Sequence, residues 1–532
     1  MPMVNFKALH QLELLPETLS LKLWDEEKGK ESRFREIMEL PLSQRRRIDS
    51  YLMELTLENG RPLHQPIPCT LSCLNVSATF TLGCSKFIPE IESGTVCQLR
   101  ALIVPQFSLP FQSLLSLGQH CPLLEVLHYG SSYDSVLEPL RFPKLQCLKV
   151  DEISDDLLLD MAKSESLRQL RLYTASASTL AKVVSQNPSL TRFDGHVAQD
   201  SISWQDFVEL YLGRLCHLES ADIEFDDSTT KWMARPAAGN ESFQKPWPSL
   251  RSLTLSSAAD MPNPLKISSE TVLSFSRLLH SVTHLSLQAV EIHQCELHCP
   301  ALVKLDLNAV DFSTPESGIR VGPSFRSLKM ATDPSRIYAD GRVAPPSLSD
   351  LSVSMDLTLC RQNEAGGTPS QYVNYVSSLQ NLATFDLSLT DFQSTNDLSS
   401  ESQFGRQLGT VLGSLSSLEK VTVSESLETS HFSKSFVAEL VAHRKALIHS
   451  GRSTVFLEYT FSEWKGHMCD RAQSFLKLDS ETERSTKMKL TVDTCHFLDY
   501  NSFFESNFLS KCLRPIPEHC IIVENGNRFI SV

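Results

Sequence analysis

A short pattern, apolar-x-x-apolar-x-apolar, recurs along the chain. It reads LRALIV at 99–104, LEVLHY at 124–129, LQCLKV at 145–150 and LRQLRL at 167–172. Looser copies follow as LTRFDG at 190–195 and LESADI at 218–223. The pattern then returns as LRSLTL at 250–255, VTHLSL at 282–287, LVKLDL at 302–307 and FRSLKM at 325–330. Its last copies are LSDLSV at 348–353, LATFDL at 382–387 and LEKVTV at 418–423, and an earlier one, LSCLNV, lies at 71–76. The final positions alternate as a strand does, one side chain inward and one outward. Three inward apolar groups cannot be buried by one unit alone, so the pattern predicts stacked units sharing a continuous core.

Seven copies carry proline two residues ahead of the first apolar position: Pro122, Pro143, Pro188, Pro248, Pro300, Pro323 and Pro346. Proline ends a preceding helix and biases the chain toward extended entry into a strand. Helical spacing precedes several copies, at Leu180, Val183 and Val184, and at Phe207, Leu210, Tyr211 and Leu215. It recurs at Val272, Phe275, Leu278 and Leu279, and at Tyr372, Val373, Val376 and Leu379. Each stripe predicts a helix packed on the strand layer. Between 282 and 307 the apolar clusters VTHLSL, IHQCEL and LVKLDL follow too closely to admit a helix, so an extended return is expected there.

Spacing of about 20–29 residues is that of leucine-rich repeats, and most intervals fit it, with insertions stretching four. The expected fold is an α/β leucine-rich-repeat solenoid, curved, with parallel strands on its concave face and helices or extended segments on its convex face. Three regions follow: an N-terminal cap with first irregular repeats at 1–70, the solenoid at 71–425, and a cap or small α/β accessory region at 426–532. In the last, STVFLEYTF, KMKLTVDT and CIIVENGNRF read as strands, with a hairpin signal at Asn525-Gly526, after a helical FVAELVAHRKALIHS. Segments 224–247 and 388–405 read as surface loops, and 34–57 as an amphipathic capping helix.

The corner C-P-x-L-x-x-L-x-L at Cys121-Pro122 and Cys299-Pro300 resembles the irregular ribonuclease-inhibitor-like repeats of F-box/leucine-rich-repeat proteins. The likeness covers roughly residues 70–425. It implies recognition of protein partners through the concave strand face, often for ubiquitin ligases. ELPLSQRRRIDSYLMEL resembles an F-box opening at Leu40-Pro41, Ile48, Tyr51 and Leu52, but departs from it at Gln44 and Asp49. A degenerate F-box near 38–57 would imply a Skp-type adaptor as partner and a substrate-recognition role in a cullin-type ligase.

Composition narrows the function further. A net charge of −14 repels phosphate backbones and argues against nucleic acid as partner. Many of the fourteen cysteines, such as Cys147 and Cys216, occupy places an aliphatic side chain could take, and they form no secreted-type framework. No signal-peptide pattern and no membrane-spanning run is evident, so a cytoplasmic or nuclear setting is expected, away from membranes. No phosphate-binding loop, nucleophile elbow or zincin motif occurs. His293, Cys295, His298 and Cys299 have the wrong spacing for a structural zinc site. Adjacent Cys495 and His496 would point to opposite faces of a strand. No catalytic residue, metal or cofactor is expected, and the chain reads as a non-enzymatic protein-interaction scaffold.

Outward strand positions then define the binding face. Lys149, Gln169, Arg171, Tyr173, Arg192, Asp194 and Asp222 form the candidate partner-binding patch, a basic and aromatic cluster with acids beside it. Arginine and tyrosine are the residue types enriched at binding hot spots.

Overall fold

The computed structural model describes most of the chain between residues 63 and 462, together with residues 19–24, 48–57, 486–493, 520–524 and 527–530. Within 63–462 it leaves out chiefly 81–84, 133–137, 203–205, 226–248, 258–264, 270–278, 357–368, 391–397, 427–431 and 449–454. The fold is α/β and built largely from parallel strands. Two compact units divide it: Met1–Thr229 with Gly239–Pro262, and Thr230–Ala238 with Asn263–Val532.

In the first unit, β1 (Leu19–Trp24), β2 (Ile48–Leu57), β4 (Cys73–Phe80) and β6 (Ala101–Ser108) pair in sequence, all parallel. The ladder continues through β7 (Val126–Ser132), β8 (Cys147–Ile153), β9 (Gln169–Ser176), β10 (Arg192–Ala198), β11 (Ser220–Phe225) and β12 (Ser252–Ser257). Behind it, β3 (Leu63–Pro66) pairs with β5 (Ser85–Glu90). Returns between strands run through α1 (Phe111–His120), α2 (Asp155–Met161) and α3 (Ala177–Gln186). The expected helix at Phe207 begins as a π turn over Phe207–Tyr211 and tightens to a 3₁₀ turn over Leu212–Arg214.

The inward triplets line up as their spacing requires. Leu74, Leu102, Leu127, Leu148, Leu170, Phe193, Ala221 and Leu253 are register partners in turn, and all are buried. Each strand is clamped onto its predecessor by an entry bond: the amides of Val126, Cys147, Gln169 and Arg192 donate to the carbonyls of Arg100, Glu125, Gln146 and Arg168 at 2.9–3.0 Å. The corner prolines leave buried residues behind them. Asn187 replaces the cysteine found at residue 121, and its side chain meets Leu167 N–H, Ala162 C=O and Val183 C=O. A buried amide with those bonds satisfied fixes the turn at little cost.

The second unit repeats the scheme with β13 (Leu265–Ser268), β14 (His284–His293), β16 (Lys304–Phe312), β18 (Ser327–Met330), β20 (Asp350–Asp356), β21 (Thr384–Thr390) and β22 (Lys420–Ser426). Parallel pairing goes on through β23 (Val455–Ser462), β24 (Thr486–Asp493) and β25 (Cys520–Glu524). An antiparallel β26 (Asn527–Ile530) then folds back on β25, as the hairpin signal predicts. The extended return expected near 282–307 is present. There β15 (Glu296–Cys299), β17 (Gly318–Val321) and β19 (Ile337–Tyr338) form a separate three-stranded parallel sheet. Strands β14 and β16 turn at matched left-handed residues, Ala289 and Ala309, with φ of 53° and 51°. At the corner before β18, a Cβ on Gly322 would come 2.0 Å from the Pro300 carbonyl oxygen, so stacking of these two coils requires glycine. Later returns are helical: α4 (Pro369–Ser377), α5 (Leu398–Ser414) and α6 (Phe432–Ile448).

Two expectations are corrected. Residues 48–57, assigned above to a capping helix and to the end of an F-box-like stretch, are strand β2; 34–47 lie outside the described residues. Leu21, Tyr51 and Leu74 are register partners, so the alternation in IDSYLMELTL is that of a strand inside the ladder. Segment 388–405 is not a loop throughout, because β21 extends to Thr390 and α5 starts at Leu398. Polar, serine-rich composition hid a helix whose glycines serve close packing. The stripe at Val272, Phe275 and Leu278 and the loop residues 226–247 lie outside the described residues.

Candidate interaction surface

All seven residues of the proposed patch fall in the first unit, on the outward side of β8 to β11. The register brings them together. One outward row runs His128, Lys149, Arg171, Asp194, Asp222 and Thr254 on successive strands. A second row contains Cys147, Gln169, Arg192 and Ser220. Neighbouring strands stand about 4.8 Å apart, so side chains within a row touch or nearly touch.

Tyr173 sits where the register between β9 and β10 slips by one residue: Leu172 pairs with Gly195, and Thr174 with His196. That extra residue is a bulge, which redirects a side chain. The Tyr173 ring is 64% exposed and tilts against His196, with ring centroids 6.5 Å apart. Thr174 Oγ1 bonds His196 Nδ1 and holds that ring in place. Arg171 reaches Asp194 at 3.4 Å, while its own side chain stays 60% exposed.

Burial separates the acids from the bases. Burial first, and then the neighbouring charge of Asp194, lift the Asp222 carboxyl to about 6, against the opposing pull of Arg171 and Arg192. Asp151 is also raised by burial. His128, half-buried beside Lys149 and Arg171, is pushed down to about 4 by burial and by those two charges. Cys147 departs from the expected outward exposure: its thiol is buried and donates to Gln169 Oε1 at 3.7 Å, with burial pushing its pKa up. The alternation of LQCLKV places Cys147 outward correctly but cannot show that Gln169 covers it.

Three members of the face were not singled out from sequence: Asp151, His196 and Glu224. Asp151 feels Arg171, and Glu224 adds a third acid near Asp222. Their signal lay one step beyond the repeated motif, where each strand runs past its last inward apolar residue. Elsewhere, Cys295 and Cys299 are buried in the second unit, their thiols raised by burial to about 11 and about 12, as the phase of the repeat requires. No group of three or more potential metal ligands occurs among the described residues. Cys495 and His496 lie outside them. No described helix is long and apolar enough to cross a membrane.

The fold and this face define an α/β protein of stacked parallel coils that presents rows of charged and aromatic side chains. Compared with known proteins, the chain matches no family model and no curated relative.

Proposed function

We propose that the chain is a leucine-rich-repeat protein acting as a non-enzymatic scaffold, and that it binds a protein partner through the outward faces of β8 to β11. The observation carrying this reading is the order of charges. Like charges directly opposite on neighbouring strands destabilise a sheet, and opposite charges stabilise it. A face shaped only for solvation would therefore gain by alternating signs. Here Lys149 faces Arg171 and Asp194 faces Asp222, so two basic positions are followed by two acidic ones. Beside them an aromatic ring projects from a bulge into solvent. Blocked charge with an exposed tyrosine suits a partner carrying complementary charge and an apolar socket.

A ligase-receptor role would need adaptor-binding helices outside 48–57, which are strand. The scaffold reading needs none. Its test is affinity purification with mass spectrometry, comparing wild type with Arg171→Glu/Arg192→Glu. Loss of a specific co-purifying protein from the variant supports the face; equal recovery of every partner sinks it.

A further inference from the structure

The outward face of β8 to β11 has dimensions that the register fixes. Its central row, Lys149, Arg171, Asp194 and Asp222, crosses four strands. At about 4.8 Å per strand step the row is about 14 Å long. Arg192 stands two residues before Asp194, and Tyr173 two residues after Arg171, so they flank the row on opposite sides. Both are exposed. Two residues of strand span about 6.7 Å, which makes the patch about 13 Å wide. One extended chain covers about 5 Å of that width. An α-helix with its side chains is about 10–12 Å across and fills it.

Charge changes along the row and sets a second length. The Lys149–Arg171 pair and the Asp194–Asp222 pair are centred two strand steps apart, about 10 Å. On a helix, residues seven apart share a face and stand about 10.5 Å apart along the axis. A β-strand covers the same distance in three residues, but the two end side chains then point to opposite faces.

On the reading of β8 to β11 as the partner site, on which this rests, we propose that the face takes an α-helix of the partner protein, laid along the ladder. A carboxylate of that helix sits on Lys149 and Arg171, and a cationic side chain seven residues away sits on Asp194 and Asp222. An apolar side chain between them packs against the Tyr173 ring.

The acidic end gains most from such an occupant. Asp194 and Asp222 are direct register partners, and burial together with the Asp194 charge pushes the Asp222 carboxyl up. A cation placed over both relieves that opposition. The second unit treats its charges differently. There Lys266 lies opposite Glu291 at 2.8 Å, and Lys329 opposite Asp306 at 3.7 Å, so acid and base neutralise each other across the register.

The test uses the full chain and fluorescein-labelled peptides of about 16 residues, roughly four helical turns, read by anisotropy. The helical probe is hydrocarbon-stapled and carries Glu, Leu and Arg at positions i, i+4 and i+7 of an alanine and glutamine background. A control of the same composition moves Arg to i+5, which turns it away by about 140°. An extended probe carries Glu and Arg three residues apart on a polyproline background, about 9 Å along its axis. The first helix should bind about tenfold more tightly than either other probe, and Arg171→Glu/Arg192→Glu should remove that advantage. Equal affinity of the two helices, or tighter binding of the polyproline probe, overturns the helical occupant. An advantage that survives in Arg171→Glu/Arg192→Glu puts the helix elsewhere and overturns it too. If the helices bind equally but that variant still loses a protein partner in the purification above, the face stands without the helix; if no partner is lost, both readings fall. Should the variant not fold, the three probes on the wild-type chain decide.

Discussion

The two units close similar inward ladders with different backs. In the first, short helices return the chain from β8 to β9 and from β9 to β10, where the intervals between motif copies are 22 and 23 residues. In the second, the return after β14 is a strand, and after β21 and β22 it is a pair of 17-residue helices. The front needs only inward apolar groups at fixed steps. The back is set by how much chain lies between copies and by what that chain can bury. Ten residues between apolar clusters allow a strand, and intervals beyond 30 admit a long helix. Both backs satisfy the same front.

The long-helix back is closely packed, and a single methyl group should break it. Gly405, Gly409 and Gly413 recur every four residues on α5, against Phe432, Phe436 and Leu440 of α6. A Cβ on Gly409 would stand 2.4 Å from the Phe436 carbonyl oxygen, so the helices would have to part. Gly409→Ala should destabilise the protein by roughly 2 kcal/mol, measured by chemical denaturation; an unchanged midpoint would mean the helices do not approach so closely.

The facing helix, α6, carries a second distinguishing residue. Arg444 follows Phe436 and Leu440 on the buried stripe of α6 and is fully buried. Its Nη2 donates to the Leu418 carbonyl at 2.8 Å, while Nε and Nη1 have no hydrogen-bond partner among the described residues. Burial pushes its pKa down to about 10. Replacing an uncompensated buried cation by an apolar group of similar volume relieves desolvation. Arg444→Met should raise stability by about 1–2 kcal/mol; a loss would mean that the guanidinium is indispensable to the helix contact.

Much of this was legible in the sequence, and the exceptions have physical causes. Inward positions such as Leu127, Leu148 and Leu170 declare themselves because burial tolerates little but aliphatic groups. The extended return at Glu296–Cys299 followed from spacing alone. Strand β2 was harder, because ten residues of alternating character beside a basic run can also be aligned as a helix. Helix α5 was hidden because glycine and serine, poor helix formers, are there for close approach to α6. On the candidate face, the outward alternation located the side chains. It could not show the bulge at Tyr173, which depends on β9 having one residue more than β10 between paired positions.

The first unit differs from the second in its titrating face, and that gives the smallest effect. Asp222 has a raised carboxyl, so the folded state binds its proton more tightly than the unfolded chain does. Its contribution to stability is greatest below about pH 4 and is lost as pH rises through about 6. His128 acts oppositely: its depressed pKa means that stability is lost as pH falls from about 6.5 toward 4. Asp222→Asn should therefore gain on wild type by about 1 kcal/mol at pH 7.5, with the gain vanishing near pH 4. A gain independent of pH would assign the effect to something other than this proton.

Stacking of successive coils one strand apart is best read in the native chain by zero-length carbodiimide coupling followed by peptide mapping. Lys266 lies 2.8 Å from Glu291 on the neighbouring strand, and Lys329 lies 3.7 Å from Asp306 on its own neighbour. The expected products are amide links joining Lys266 to Glu291 and Lys329 to Asp306. Links from these lysines to carboxylates on strands two or more steps away, in place of those two, would contradict the stacked register.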